Sequence, residues 1–341
     1  MAKTMYAMGT MTAAEAWRDI RSLRAEPTGH LRATLDSDLR RRNEFHMALE
    51  QAQQQFLASQ QVGYESRPLN LFYGLSQAGR ALAAGATALG PDTGRPWEAS
   101  GHGIKFQDGA SDELWRTKTK LETYKRDLFS RVSIATGSPH SFVSVEFGAL
   151  VNQLVDYTMT FREAEAFPRP LHDVRVYGSA TFPVDVEVEV PGYQAGSDMT
   201  GDDVRLALAP YPALAPFAIP AENREVRWSH NQGYCLLSVP NRDCFVDGSH
   251  GSLTLKGATR YRGSSVLLPS LEGESRPLRP LMSWWLVLHA LSMLARYTPS
   301  RWMRTLSIEQ SSIASKVEFL LDTAIDAVPE LLVDELKLLQ D

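Results

Sequence analysis

Histidines and arginines set beside glycine or aromatic residues are the chemistry-bearing features of this 341-residue chain. Gly101-His102-Gly103 follows Ser100 and precedes the alternating Ile104-Lys105-Phe106, which places an imidazole on a glycine-flanked turn beside a strand. Glycines on both sides let the backbone approach a ligand or another chain closely. An imidazole, with an unperturbed pKa of about 6.5, can serve as acid or base near neutral pH. His102 is therefore the candidate catalytic residue. The same pattern also describes a plain turn in which His102 bonds a nearby carbonyl.

A second grouping lies in and after the apolar run from Leu281 to Tyr297. His289 and Arg296 are seven residues apart, nearly two helical turns, and so share a face. Ionisable groups on a core helix need partners and are either structural ties or a site. From Arg296 to Arg304 the chain interleaves arginines with Tyr297 and Trp302 and carries no acid. Guanidinium and aromatic planes together can hold phosphate and stack on a base. Arg296, Arg301 and Trp302, with Arg67 at the head of an earlier helix, are the candidate ligand-binding residues. A helix junction with Trp302 buried and arginines capping carbonyls fits the same stretch.

Two further motifs fare less well. Gly74-Leu75-Ser76-Gln77-Ala78 has the outline of a nucleophile elbow, but position 78 is Ala and the preceding residues run on as a helix, which makes Ser76 a helix-packing residue. Arg41 and His46, four residues between them, resemble the Arg-x4–6-His motif of HEPN ribonucleases, although the motif's following polar residue would be Arg42. A short Arg-rich helix produces this match often, and a solvated basic face is the plainer account of it. No Walker loop, complete Gly-x-Gly-x-x-Gly, Ser-x-x-Lys, Cys-x-x-Cys or His-Glu-x-x-His is present, so neither a metal nor a cofactor is expected.

These residues must be held by helices at both ends of the chain and by strands between. Thr12 with Glu15 three residues on reads as a capping box. Leu31, Leu35, Leu39, Phe45, Leu49, Ala52 and Phe56 predict one long amphipathic helix. Arg67-Pro68 starts another, ending near Gly85 to Gly90. VRVYGSATF, VDVEVEV, VRLALA, YCLLSVP and SLTLKGATRY alternate as strands, Gly192 to Asp203 reads as a loop, and LWRTKTKLETYKRDLFSRV has helical spacing. Leu281 to Tyr297 predicts a buried helix, followed by helices over Trp302 to Leu321 and Ala324 to Leu339. The fold class is thus α+β: N- and C-terminal helices in one bundle with a β-rich middle, divided as 1–90, 91–279 and 280–341.

Composition is that of a globular protein, with 43% hydrophobic residues and a formal net charge of −5. That charge argues against nonspecific coating of DNA, though Arg116, Lys118, Lys120, Lys125, Arg126 and Arg131 offer a local basic stripe. Cys235 and Cys244, the two cysteines, suit a reducing cytoplasm. Met1 to Thr12 lacks a secretory apolar region and the apolar run carries His289, so export and membrane insertion are not expected.

Four segments together resemble the YaaC-like family of bacterial proteins. They are Arg67-Pro68-Leu69 with Phe72-Tyr73-Gly74 and Arg80-Ala81-Leu82; Gly101-His102-Gly103-Ile104; Arg131 with Gly137-Ser138; and Leu291 to Tyr297 with Pro299 and Trp302. The resemblance implies a bacterial, cytoplasmic, mixed helical and β protein, with an N-terminal helical part similar in plan to HEPN bundles, and assigns no activity. The leading functional expectation is a nucleotide- or nucleic-acid-binding protein of bacterial stress or phage defence, with metal-independent nuclease activity centred on His102. The alternative is a non-enzymatic protein-interaction module, in which Arg67, Arg80 and Arg296 are internal ties. Self-association is compatible with both.

Overall fold

Thr12 opens the first helix as its sequence requires. Its hydroxyl accepts the Glu15 amide at 3.3 Å while the Glu15 carboxylate accepts the Thr12 amide at 2.8 Å. The computed structural model describes residues 11–90, 95–107, 113–122, 126–161, 167–172, 175–177, 182–196, 198–217, 226–247 and 253–341. Four helices lead the chain: α1 (Ala13–Ala25), α2 (Gly29–Ser37), α3 (Leu39–Ser59) and α4 (Arg67–Gly85). The stripe expected to form one helix is split between α2 and α3. Asp38 is extended and its carboxylate accepts the Arg40 amide at 2.8 Å, so it caps a new helix instead of continuing the old one. Leu39 falls at that start and is 70% exposed.

The basic segment with helical spacing is helical at its two ends, over Leu114–Arg116 and from Leu128, and a strand lies between them at Lys118–Leu121. Strands β1 (Ile104–Gln107), β2 (Lys118–Leu121) and β3 (Ser144–Glu146) form an antiparallel sheet in that order, with Lys118 and Lys120 on its central strand. Lys125 lies outside the described residues. Helix α5 (Leu128–Thr136) packs on α4 and α6 (Phe147–Val151) on β3, and with α7 (Val155–Thr160) they bury Phe129, Val132, Phe147 and Tyr157.

A separate hydrophobic core runs from Leu171 to Leu267. Strands β4 (Arg175–Tyr177), β5 (Val184–Glu189) and β6 (Tyr234–Val239) pair antiparallel, and the alternation of β5 buries Val184, Val186 and Val188. The VRLALA segment is helical, correcting the strand reading. It forms α8 (Gly201–Leu208), opened by a Thr200–Asp203 capping box at the end of the expected loop. Two hairpins complete the middle of the chain: β7 (Phe245–Asp247) with β8 (Leu253–Leu255), and β9 (Thr259–Tyr261) with β10 (Ser264–Val266). Both cysteines are free thiols; burial pushes that of Cys235 up to about 12.

Three helices end the chain: α9 (Pro280–Tyr297), α10 (Pro299–Leu306) and α11 (Ala314–Leu338). The two helices expected over 302–321 and 324–339 are redrawn, because the chain breaks after Leu306 and then runs unbroken through Leu338. α9 is buried nearly all round, since α4, α6, α10 and α11 all pack on it. With α1 against α11 and α3 against α4, the N- and C-terminal helices share one core. No helix among the described residues is long and apolar enough to cross a membrane.

The β9–β10 hairpin is fastened to this helical core by charge. Arg262 at its turn donates to Asp156 of α7 at 2.7 Å and to Glu330 of α11 at 2.9 Å, all three being at most 8% exposed. The Tyr261 hydroxyl donates to the other Asp156 oxygen and accepts from the Trp284 indole at 3.4 Å. Buried charges persist when each is paired and hydrogen-bonded, as here.

Candidate functional site

The turn that carries His102 is built as the cap of α5. The first amides of a helix have no partner inside it; here Leu128 donates to the Gly101 carbonyl at 3.2 Å and Phe129 to the His102 carbonyl at 3.2 Å. The Asp127 carboxylate takes the Ser130 amide at 2.7 Å. Gly103 has φ +78°, and a Cβ there would lie 1.8 Å from the Asp127 carboxylate oxygen, so only glycine fits between turn and cap. The backbone of His102 is thereby fixed while its side chain stands at the surface.

The ring of His102 rests 5.2 Å from that of Phe72 on α4, and Phe72 lies 5.2 Å from His289 and 6.2 Å from Trp285 on α9. Phe72 is thus the hub of a four-ring cluster in which the imidazoles of His102 and His289 are 6.2 Å apart. α4 and α9 approach this closely because Gly79 faces Trp285; a Cβ would come within 2.4 Å of the indole. His289 is 1% exposed and its Nδ1 has no hydrogen-bond partner among the described residues. Burial, and then the neighbouring His102, push its pKa down to about 3. His102 is also lowered, first by desolvation of its ring and then by the charges of Arg80 and Arg296. Both imidazoles are neutral at pH 7.

Arg296 and Arg80 complete this face. Arg296 donates to the Tyr73 hydroxyl at 3.0 Å and lies over the Tyr297 ring at 5.1 Å. Among the described residues Arg80 reaches the Ala99 carbonyl alone, at 3.5 Å. Neither is paired with a carboxylate among the described residues. Two guanidiniums, a phenol and a neutral imidazole therefore converge at the surface. That arrangement favours an anion and can accept a proton from it or its neighbour.

The other residues singled out in the sequence lie at the α3–α4 corner or deeper in the bundle. Arg67 donates to the carbonyls of Ser59 and Val62, each at 3.1 Å, pairs with Asp322 of α11 and covers the Tyr64 ring at 4.5 Å. Trp302 is buried, its indole donating to the Glu65 carbonyl at 3.0 Å. Both tie the C-terminal helices to that corner. Arg301, on α10, is half-buried, and its pKa is lowered by desolvation and by Arg304. Of the five residues named from the sequence, His102 and Arg296 are brought together.

Arg41 points inward. Its guanidinium donates to the carbonyls of Ala84 at 2.7 Å, Ala86 at 2.6 Å and Gly90 at 3.0 Å, closing the C-terminal end of α4. Ser76 is buried in mid-helix, and its hydroxyl has no partner among the described residues. Phe72, Tyr73 and Arg80 were not foreseen as members of the His102 face. The signal available was their spacing on α4, with Arg80 two turns beyond Tyr73. No group of three or more His, Cys, Asp or Glu among the described residues is arranged to hold a metal.

Fold and face together define an α+β protein whose terminal helices share one core and present a histidine–arginine surface cluster. The chain belongs to the YaaC-like protein family, whose model matches residues 26–336. No curated protein and no solved structure matches it. Within that span the segments carrying the resemblance meet physically. Phe72 and His102 touch, and Gly137-Ser138 ends α5 with the Ser138 hydroxyl accepting the Arg279 amide at the head of α9.

Proposed function

We propose that the face formed by His102, Arg296, Arg80 and Tyr73 binds the phosphate of a nucleotide or short nucleic acid. The observation that supports this reading is the meeting of His102 and Arg296, drawn from distant segments, beside a second guanidinium, with no carboxylate among the described residues to neutralise either. Arginine matches a phosphate with paired donors, and an adjacent phenol ring offers a surface on which a base can stack. His102, neutral at pH 7 and accessible, is placed to act as general base in any phosphodiester chemistry there; His289 behind it is sealed from substrate. Cleavage without metal, in a stress or defence setting, extends the reading and rests on His102 alone.

The test is calorimetric titration of the full chain with mononucleotides, pyrophosphate and short RNAs at 50 and 200 mM salt. Binding should weaken with salt, and fall at least tenfold in Arg296→Met and Arg80→Met. Equal binding by wild type and both variants, or none by wild type, would refute it. A second reading, a protein-interaction surface, is favoured by exposed Tyr297 at the end of α9, Met303 on α10 and Ile308 just beyond it.

A further inference from the structure

Between the two hydrophobic cores lies a cavity of about 670 Å³ that the His102 face does not use. Its walls come from β2, β3 and the α6–α7 turn on one side and from the segments at 167–168, 209–210 and 270–274 on the other. Sites between separately packed units and of this size are where small molecules bind. The far wall is pinned, since Ser270 donates to the Pro210 carbonyl through its amide at 2.7 Å.

Gln153 lines this cavity at the turn between α6 and α7. It is 4% exposed, and its Oε1 is buried with no donor in reach among the described residues. A buried amide oxygen without a donor is a standing cost to the fold and calls for a missing partner. What it lacks is an N–H or O–H.

The charges around the cavity narrow the choice. Three carboxylates, Glu146, Glu272 and Glu274, face one ammonium, Lys118. Glu146 is engaged by Lys118 at 3.8 Å and by Arg116 at 3.6 Å. Glu274 accepts only from the neutral amide and hydroxyl of Ser141, at 2.8 and 2.9 Å, and Glu272 has no ion pair among the described residues. Negative charge is left over, beside the apolar surfaces of Val145, Phe167 and Leu271. A neighbouring cavity of about 560 Å³ holds Arg169 and Glu189, but these two satisfy each other at 2.6 Å.

We propose that the larger cavity binds a small molecule carrying an ammonium group on an apolar body. Gln153 Oε1 accepts one of its N–H bonds, Glu272 and Glu274 balance its charge, and Phe167 and Leu271 cover its carbon frame. The inference stands apart from the phosphate-binding reading, because the two places share no residue.

Titration of the full chain with tryptamine and phenethylamine, against indole-3-propionate as a similar body of opposite charge, tests it. The amines should raise the melting temperature and bind at least tenfold more tightly than the carboxylate. Gln153→Met should lose that binding at least tenfold while its ligand-free form melts at or above the wild-type temperature, because an unpaired acceptor has been removed. Glu272→Gln with Glu274→Gln should weaken the amines and spare the carboxylate. Absence of amine binding to wild type, equal binding of the carboxylate, or wild-type affinity in both variants would overturn the proposal. So would a clear fall in the ligand-free melting temperature of Gln153→Met, which would show the amide already engaged within the fold.

Discussion

The imidazole of His102 stands 6.2 Å from that of His289, one at the surface and the other sealed beneath Phe72. The pair makes the acid limb of stability a direct readout of this face. His289 is held near 3 in the folded chain against about 6.5 when unfolded, so below pH 6.5 the unfolded chain binds a proton that the folded chain refuses. Stability is intact above pH 6.5 and falls toward pH 3, at about 1.4 kcal/mol per pH unit for this one group. His102, also lowered, adds in the same direction. Urea melts between pH 7 and 4 should show a shallower pH slope for His289→Leu than for wild type. Parallel slopes would mean that His289 titrates normally.

Gly103 should be less replaceable than Gly101. Both have positive φ, but a Cβ at Gly101 meets nothing within 4 Å whereas one at Gly103 collides with the Asp127 cap. Gly101→Ala should cost about 1 kcal/mol from backbone conformation alone, and Gly103→Ala more than about 2 kcal/mol. Chemical denaturation midpoints of the two variants decide this, and equal losses would count against the turn as drawn.

Arg262→Met should be among the most damaging single changes in the molecule. It leaves Asp156 and Glu330 buried without their cation, a loss of about 3–5 kcal/mol. Replacing all three by apolar residues of similar size should recover most of the loss, because the buried charges then disappear together. A triple variant no more stable than Arg262→Met would show that the network also sets the geometry of the β9–β10 hairpin.

Arg41→Met removes the donor to three carbonyls at the end of α4, and about 2–3 kcal/mol of stability should go with it. His46→Ala, at a half-buried position with no such role, should change the denaturation midpoint little. If Arg41 were a surface residue of an active site, Arg41→Met would leave the midpoint unmoved.

Local signals in the sequence were enough where one residue decides one structure. Thr12 with Glu15, and Pro68 at the head of α4, gave helix starts that the structure keeps. The apolar run through α9 gave a buried helix, because nothing but a core can receive it. Local signals misled where two patterns overlap. The Leu31-to-Phe56 stripe hid the cap at Asp38, and the alternation of VRLALA hid the Thr200–Asp203 box that opens a helix there.

The residue types of the candidate site were legible, since His102 and Arg296 stand out by chemistry and by their neighbours. Their meeting was not, because it depends on how α5, α4 and α9 are laid against one another. The same packing turned Arg67 and Trp302 into ties at the α3–α4 corner and brought in Phe72, Tyr73 and Arg80. By itself the sequence determined the helical ends, the strands of β5 and β6 and a glycine-flanked imidazole, all of which follow from spacing and backbone preference within one segment. Only the tertiary structure decided which arginines face that imidazole, which carbonyls the others cap, and that Gln153 is buried with no donor among the described residues. Those depend on contacts between residues far apart in the chain, which periodicity within a segment does not record.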